Sequence, residues 1–138
     1  MALIHRTKQP KYNNKKVVYD NIKFDSKKEM TRYAELKLLE KAKKITDLEL
    51  QKKLIIQDKF KTNQGVIREI NYIADFYYFD VDLNKYVIED VKAIKTKDFI
   101  LKFKLILNKY DCVFRLNSYL NNKHIIKDYI RSNNYNKN

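Results

Sequence analysis

Hydrophobic patterning is densest between Ile67 and Lys92. Two runs there, Arg68–Phe79 and Lys85–Val91, are rich in apolar and aromatic residues and flank a short polar turn at Val81–Asn84. Ile70, Tyr72, Ile73, Phe76, Tyr77 and Phe79 in the first, with Tyr86, Val87, Ile88 and Val91 in the second, predict a mostly buried β-hairpin. Asp75, Asp90 and Lys92 interrupt it. Side chains alternate across a strand, so Asp90 and Lys92 share one face and Val91 takes the other. A two-residue turn at Asp82-Leu83 sets Asp75 across from Asp90. A turn at Leu83-Asn84 sets Asp75 across from Lys92, and a three- or five-residue loop breaks the parity.

The flanking patterns supply the remaining elements. Lys16–Phe24 holds two short β-prone runs around Asp20-Asn21, which tolerate positive φ, and predicts a small hairpin. Ser26-Lys27-Lys28-Glu29 has capping-box spacing and opens a helix to about Lys44. Glu29, Tyr33, Leu36 and Glu40 form one stripe of that helix, bordering its apolar face. After Ile45–Leu50, the run Leu54–Phe60 is a strand candidate, and Thr62–Gly65 turns into the central hairpin, giving an antiparallel meander. Asp98–Tyr110 has helical periodicity through Phe99, Phe103, Ile106 and Tyr110. Asp111–Leu116 is a strand, parallel to Tyr86–Val91 because a helix intervenes. Asn121–Arg131 reads as a short terminal helix.

At 138 residues the chain fits one domain over 17–131, between a basic flexible arm (1–16) and a polar tail (132–138). Thirty basic against seventeen acidic residues give a net charge of +13, which points to a polyanionic partner. Cys112, the single cysteine, lies in an apolar run and reads as core packing in a reducing compartment. Zinc is excluded for want of partners, since only His5 and His124 are available and neither has metal-site spacing. No apolar run approaches a membrane span and no signal-peptide core is evident, so a cytosolic location is expected.

Two carboxylates facing each other in a sheet repel and lose solvation unless a cation lies between them. A hard divalent ion such as Mg²⁺ suits oxygen ligands and leaves room for substrate phosphate. The bland alternative is a salt-bridged hairpin in which Asp90 pairs with Lys92. Glu29 has a bland alternative too, as the capping residue of its own helix.

The order of helix, three-strand meander, helix and strand, with Asp75 on the second strand and Asp90-Val91-Lys92 on the third, resembles the PD-(D/E)XK nuclease superfamily. The stretches FDSKKEMTRYAELKLLE, LELQKK, YIADFYY and VIEDVKAIKT also resemble small phage and prophage nuclease-like proteins of unknown function, over about Tyr12 to Leu116. Ala74 stands where the motif's proline would be. The resemblance implies an α/β (α+β) fold with a restriction-endonuclease-like αβββαβ core, a mixed sheet flanked by helices behind the small N-terminal hairpin. It also implies a Mg²⁺-dependent deoxyribonuclease, with Mn²⁺ as a substitute. Glu29, Asp75, Asp90 and the Val91 carbonyl would hold the metal, and Lys92 would orient the nucleophile. Gln51 would be a polar neighbour of the ligands. Lys95, Lys97, Lys102 and Lys104 would grip phosphates.

Without a spare helix for reading bases, selectivity for branched DNA such as a Holliday junction is expected, in phage recombination or DNA processing, by a homodimer. Its contacts would come from Val17–Phe24 or from Ile125, Ile126, Tyr129 and Ile130. Glu89, on the strand face opposite Asp90, is expected to pair with a surface lysine. The rivals are a non-catalytic DNA-binding accessory protein on the same fold and an RNA-binding structural protein.

Overall fold

A computed structural model describes residues 15–92, 95–121 and 123–132. The basic arm and the polar tail expected at the two ends fall almost wholly outside this range. By internal contacts the chain divides after Leu38 into two compact units.

In the first unit, β1 (Val17–Tyr19) and β2 (Ile22–Phe24) form the expected hairpin. Asp20 and Asn21 take φ of 55° and 60°, the left-handed turn geometry that short hairpins favour. The helix α1 (Lys27–Lys41) begins in this unit and runs across its boundary. Tyr33 packs at 5.1 Å from the Phe24 ring, and its hydroxyl donates to Asp20 Oδ2 at 2.9 Å. The cap is as the sequence implies, with Ser26 Oγ accepting from the Glu29 N–H at 3.1 Å. The helix stops short of Lys44 because Lys43 turns left-handed (φ 60°). The N–H groups of Lys44 and Lys43 then return to the carbonyls of Leu39 and Glu40, a Schellman closure.

The second unit is built on a five-stranded mixed sheet of β3 (Ile45–Gln57), β6 (Ile70–Asp80), β7 (Lys85–Lys92), β8 (Val113–Leu120) and β9 (Lys123–Ile130), neighbours in that order. A separate small hairpin, β4 (Phe60–Thr62) with β5 (Gly65–Ile67), joins β3 to β6. Gly65, at φ 124°, makes its turn. β3, β6 and β7 form the expected antiparallel meander. The helix α2 (Lys97–Lys109) then carries the chain to β8, which is parallel to β7. Its first turn is capped by Thr96, whose Oγ1 accepts from the Phe99 N–H at 3.1 Å. Phe99, Ile106, Phe114, Leu116, Ile88, Tyr72, Leu54 and Cys112 form the core between α2 and one face of the sheet.

Two expectations need correction. The terminal segment is strand β9, not a helix. Asn121 (φ 51°) makes a tight turn after β8, and residues 123–130 pair antiparallel with it across their whole length. Sheet pairing satisfies eight backbone positions and lets Tyr129 pack edge-on against Phe103 at 4.9 Å, a contact that outweighs the weak helical pattern. Ile126 and Ile130 remain exposed on this strand. Leu54–Phe60 is not a strand of its own, because β3 is continuous from Ile45 to Gln57 and is bent by bulges. Asp47 (φ 57°) marks one, where β3 uses one residue more than β6 between the Thr46↔Phe79 and Glu49↔Tyr77 pairs.

A second irregularity lies at Gln51. Its φ of 51° is left-handed in mid-strand, and the flanking pairs Leu50↔Phe76 and Lys52↔Ala74 set it opposite Asp75. Alternation slips on both strands at this level. Glu49 and Lys52, three residues apart, reach the same side to form a 2.8 Å ion pair. Tyr72 and Tyr77, five apart, both pack against the core under α2. Because both strands slip together, the register on either side is kept while the sheet bends at Asp75.

Candidate active site

The β6–β7 pairs run Asp80↔Lys85, Phe79↔Tyr86, Tyr78↔Val87, Tyr77↔Ile88 and Phe76↔Glu89, then stop. The next pair in this register would be Asp75 with Asp90, as the Asp82-Leu83 turn requires. There the ladder opens and side chains replace backbone acceptors. The Asp75 N–H donates to Asp90 Oδ1 at 2.8 Å, and the Val91 N–H donates to Asp75 Oδ2 at 2.9 Å. Each carboxylate is thus held by a main-chain donor of the neighbouring strand. The left-handed backbone at Gln51 lies opposite Asp75, at the level where the β6–β7 pairs end.

The two carboxylates have different surroundings. Asp90 is fully buried, and its Oδ2 has no hydrogen-bond partner. Lys92 Nζ stands 3.8 Å from that oxygen, an ion pair beyond hydrogen-bond length. Burial pushes the Asp90 carboxyl up to about 6, with the Lys92 charge and the Asp75 N–H opposing the rise. Asp75 is half-buried. The Lys92 ammonium also lies 5.0 Å from the centre of the Phe99 ring, in the first turn of α2, so the lysine bridges the sheet and the helix start. The positive end of the helix dipole is therefore close to the same place.

Asp75, Asp90, Val91 and Lys92 are accordingly brought together. Glu29 is buried in the first turn of α1 and belongs to the first unit. Gln51 is exposed, opposite Asp75. Lys95 and Lys97 lie exposed at the start of α2. Lys102 sits further along it, paired with Asp98 at 3.5 Å, and Lys104 is exposed. Among the described residues, no group of three or more His, Cys, Asp or Glu side chains is arranged to hold a metal ion.

The Asp90 oxygen that lacks a partner suits a hard cation, as does the half-buried Asp75 carboxylate beside it. The donor set is all oxygen, which favours Mg²⁺ or Mn²⁺ over softer metals. The fit is that of a two-carboxylate site.

Glu89 departs from expectation. It is not at the surface but fully buried on the opposite face. Its Oε1 accepts from the Tyr78 hydroxyl at 2.5 Å and its Oε2 from Asn117 Nδ2 at 2.7 Å. Arg115 Nη1 donates to the same Tyr78 oxygen at 3.0 Å, and its Nε and Nη2 clamp Asp128 at 2.8 and 2.9 Å. The Asp128 hydrogen bonds raise the Arg115 guanidinium above its ordinary range. His124 Nε2 lies 2.7 Å from Asn117 Oδ1 and stacks on Tyr119. This network ties β6, β7, β8 and β9 together directly behind the Asp75–Asp90 gap. Arg115 and Asn117, two apart in an otherwise apolar run, were its sequence signal.

The chain thus carries a buried acid–lysine cluster at an opened strand pair, on a mixed α+β unit with a mostly sheet core. The model of the DUF1064 family, described as protein of unknown function, matches residues 9–126, and the chain belongs to that family. No curated protein and no solved structure matches it. Among the described residues, no helix is long and apolar enough to cross a membrane.

Proposed function

We propose that the chain is a metal-dependent deoxyribonuclease with a restriction-endonuclease-like core, hydrolysing phosphodiester bonds at the Asp75–Asp90–Lys92 cluster. The reading is carried by one observation. A fully buried aspartate keeps an oxygen without a hydrogen bond, beside a lysine, where two strands part. A purely structural hairpin would close the Asp75–Asp90 pair with ladder hydrogen bonds and would not bear the cost of that carboxylate. The observed order of helix, antiparallel meander, helix and parallel strand agrees with what the nuclease resemblance implies.

Asp75, Asp90 and the Val91 carbonyl would hold Mg²⁺. When bound, the ion would lower the pKa of water and neutralise charge developing on the scissile phosphate. The chain's own groups do the rest. The N–H groups of Asp75 and Val91 fix the carboxylates so that little reorganisation is needed on binding. Lys92, held over Phe99, points an ammonium at the same place, where it orients water and stabilises negative charge on phosphate oxygen. Lys95, Lys97, Lys102 and Lys104 extend a cationic track along α2 for the DNA backbone.

Among the described residues both helices bury side chains in the fold, so the substrate is defined by shape, with a branch point preferred. Cutting two strands at a junction would need two copies of the site, hence a two-fold dimer. The test is incubation with supercoiled, linear, single-stranded and four-way-junction DNA in Mg²⁺, Mn²⁺ or EDTA. Metal-dependent cutting with a preference for the junction is expected. DNA binding without cleavage in any metal would replace the reading with that of an accessory binding protein.

A further inference from the structure

Two cavities adjoin at the C-terminal end of α2, and they share Arg131. The first, about 400 Å³, is polar and lined by Lys85, Lys109 and Arg131, with Asp111 as its one acidic residue. The second, about 250 Å³, is mostly apolar and includes Leu107, Tyr129 and Ile130. Their combined size falls within the range of small-ligand sites.

The cations of the first cavity are incompletely neutralised. Lys109 Nζ donates to the carbonyls of Ile55 and Ile56 at 2.9 and 3.3 Å, and Arg131 Nη1 to that of Asn108 at 2.8 Å. These partners fix the side chains but carry no formal charge. Among the described residues only Lys85 of the three faces a carboxylate, Asp111 at 3.2 Å, and that carboxylate is itself almost fully exposed. The cavity therefore presents three positive charges to one negative, on side chains already oriented. Beside it, Ile130 is half exposed and the Tyr129 ring is held edge-on by Phe103. A polar cationic hollow next to an apolar, aromatic one suits a ligand with an anionic end and a flat, weakly polar body.

We infer that this double cavity is a nucleotide-binding site, taking the phosphate at Lys85, Lys109 and Arg131 and the base against Tyr129 and Ile130. It is separate from the acid–lysine cluster. Lys85 begins β7 and Asp90 lies five residues on, roughly 17 Å at the usual rise of a strand. The nucleotide could arrive free or as an unstacked unit of a nucleic-acid strand. Either source offers the same phosphate and base.

The experiment is calorimetric titration of the full chain in EDTA at low salt with inorganic phosphate, deoxyribose 5-phosphate, a 5′-deoxymononucleotide and a single-stranded hexamer. The mononucleotide should bind more tightly than deoxyribose 5-phosphate, because only it fills the apolar half. Lys85→Gln should weaken the mononucleotide by about tenfold, the scale of one charge-assisted hydrogen bond. Asp111→Asn should strengthen it, while Lys61→Gln, an exposed lysine of β4, should leave it near wild type. Mononucleotide binding as tight as the hexamer's identifies the free nucleotide as sufficient. Much tighter hexamer binding with the same variant pattern identifies the strand.

Equal losses in Lys85→Gln and Lys61→Gln would reduce the effect to net charge, and no gain in Asp111→Asn would put the phosphate away from this cavity; either result would overturn the site. So would indifference to the base. The titration uses no metal and no cleavage, so a chain that never cuts DNA can still show the pattern. A nuclease that fails to show it loses only this site.

Discussion

The main-chain N–H of Asp75 donates to the Asp90 carboxylate, although the two residues stand where a ladder pair should form. Together with the return bond from Val91 N–H to Asp75, it replaces the ladder bonds of the hairpin's last position with bonds to two carboxylates. The central residue in energetic terms is Asp90, buried and raised to about 6 from 3.8.

A raised carboxyl has a definite linkage sign. Between about 4 and 6 the folded chain holds a proton that the unfolded chain has released, so metal-free stability falls as pH rises through that window. The loss due to Asp90 is on the order of 3 kcal/mol. Asp90→Asn removes this titration and should make the metal-free protein more stable than wild type above pH 6, with the advantage shrinking toward pH 4. Denaturant unfolding at several pH values in EDTA measures the difference. Parallel curves for the two proteins would mean that Asp90 is not held against its ionisation.

The network behind the gap should be strongly coupled. Replacing Glu89 by Leu leaves Tyr78 OH and Asn117 Nδ2 without their buried acceptor, at a cost of about 2–5 kcal/mol. Tyr78→Phe should cost less in that background than in wild type, with a coupling of about 1 kcal/mol or more. Additive losses in the double-mutant cycle would show that the hydrogen bonds are not linked. On sequence alone Glu89→Ala would be a mild surface change.

That contrast shows what the sequence made legible. Period-two alternation gave the face shared by Asp90 and Lys92, while the polar turn allowed two registers, of which the strands adopt the one centred on Asp82-Leu83. The hairpin around Asp20-Asn21 and the βαβ crossover through α2 were legible for the same local reasons. The burial of Glu89 was not, because its partners lie 11 and 28 residues away, and strand alternation tells which face a residue takes but not what covers it. β9 was missed since Ile125, Ile126, Tyr129 and Ile130 fit a helical stripe as well as a half-buried strand. Only its pairing with β8 decides. The bend at Gln51 has no local signal, as glutamine has no preference for positive φ.

Gln51 pays for its conformation. A left-handed non-glycine residue costs about 1 kcal/mol, so Gln51→Gly should raise Tm by about 2–6 °C if the backbone alone sets the bend. Thermal melts of the two proteins decide this. A lower Tm in the glycine variant would mean that the Gln51 side chain anchors the bend more strongly than its backbone opposes it.

The most direct test of the nuclease account is single-turnover cleavage of supercoiled or junction DNA by Lys92→Met and Asp90→Asn, alongside DNA affinity measured in EDTA. The account predicts metal-dependent cutting by wild type and a fall of about a hundredfold or more in either variant, with affinity changed by no more than about threefold. Cleavage by either variant at the wild-type rate, or wild-type cleavage that EDTA leaves unchanged, would contradict it.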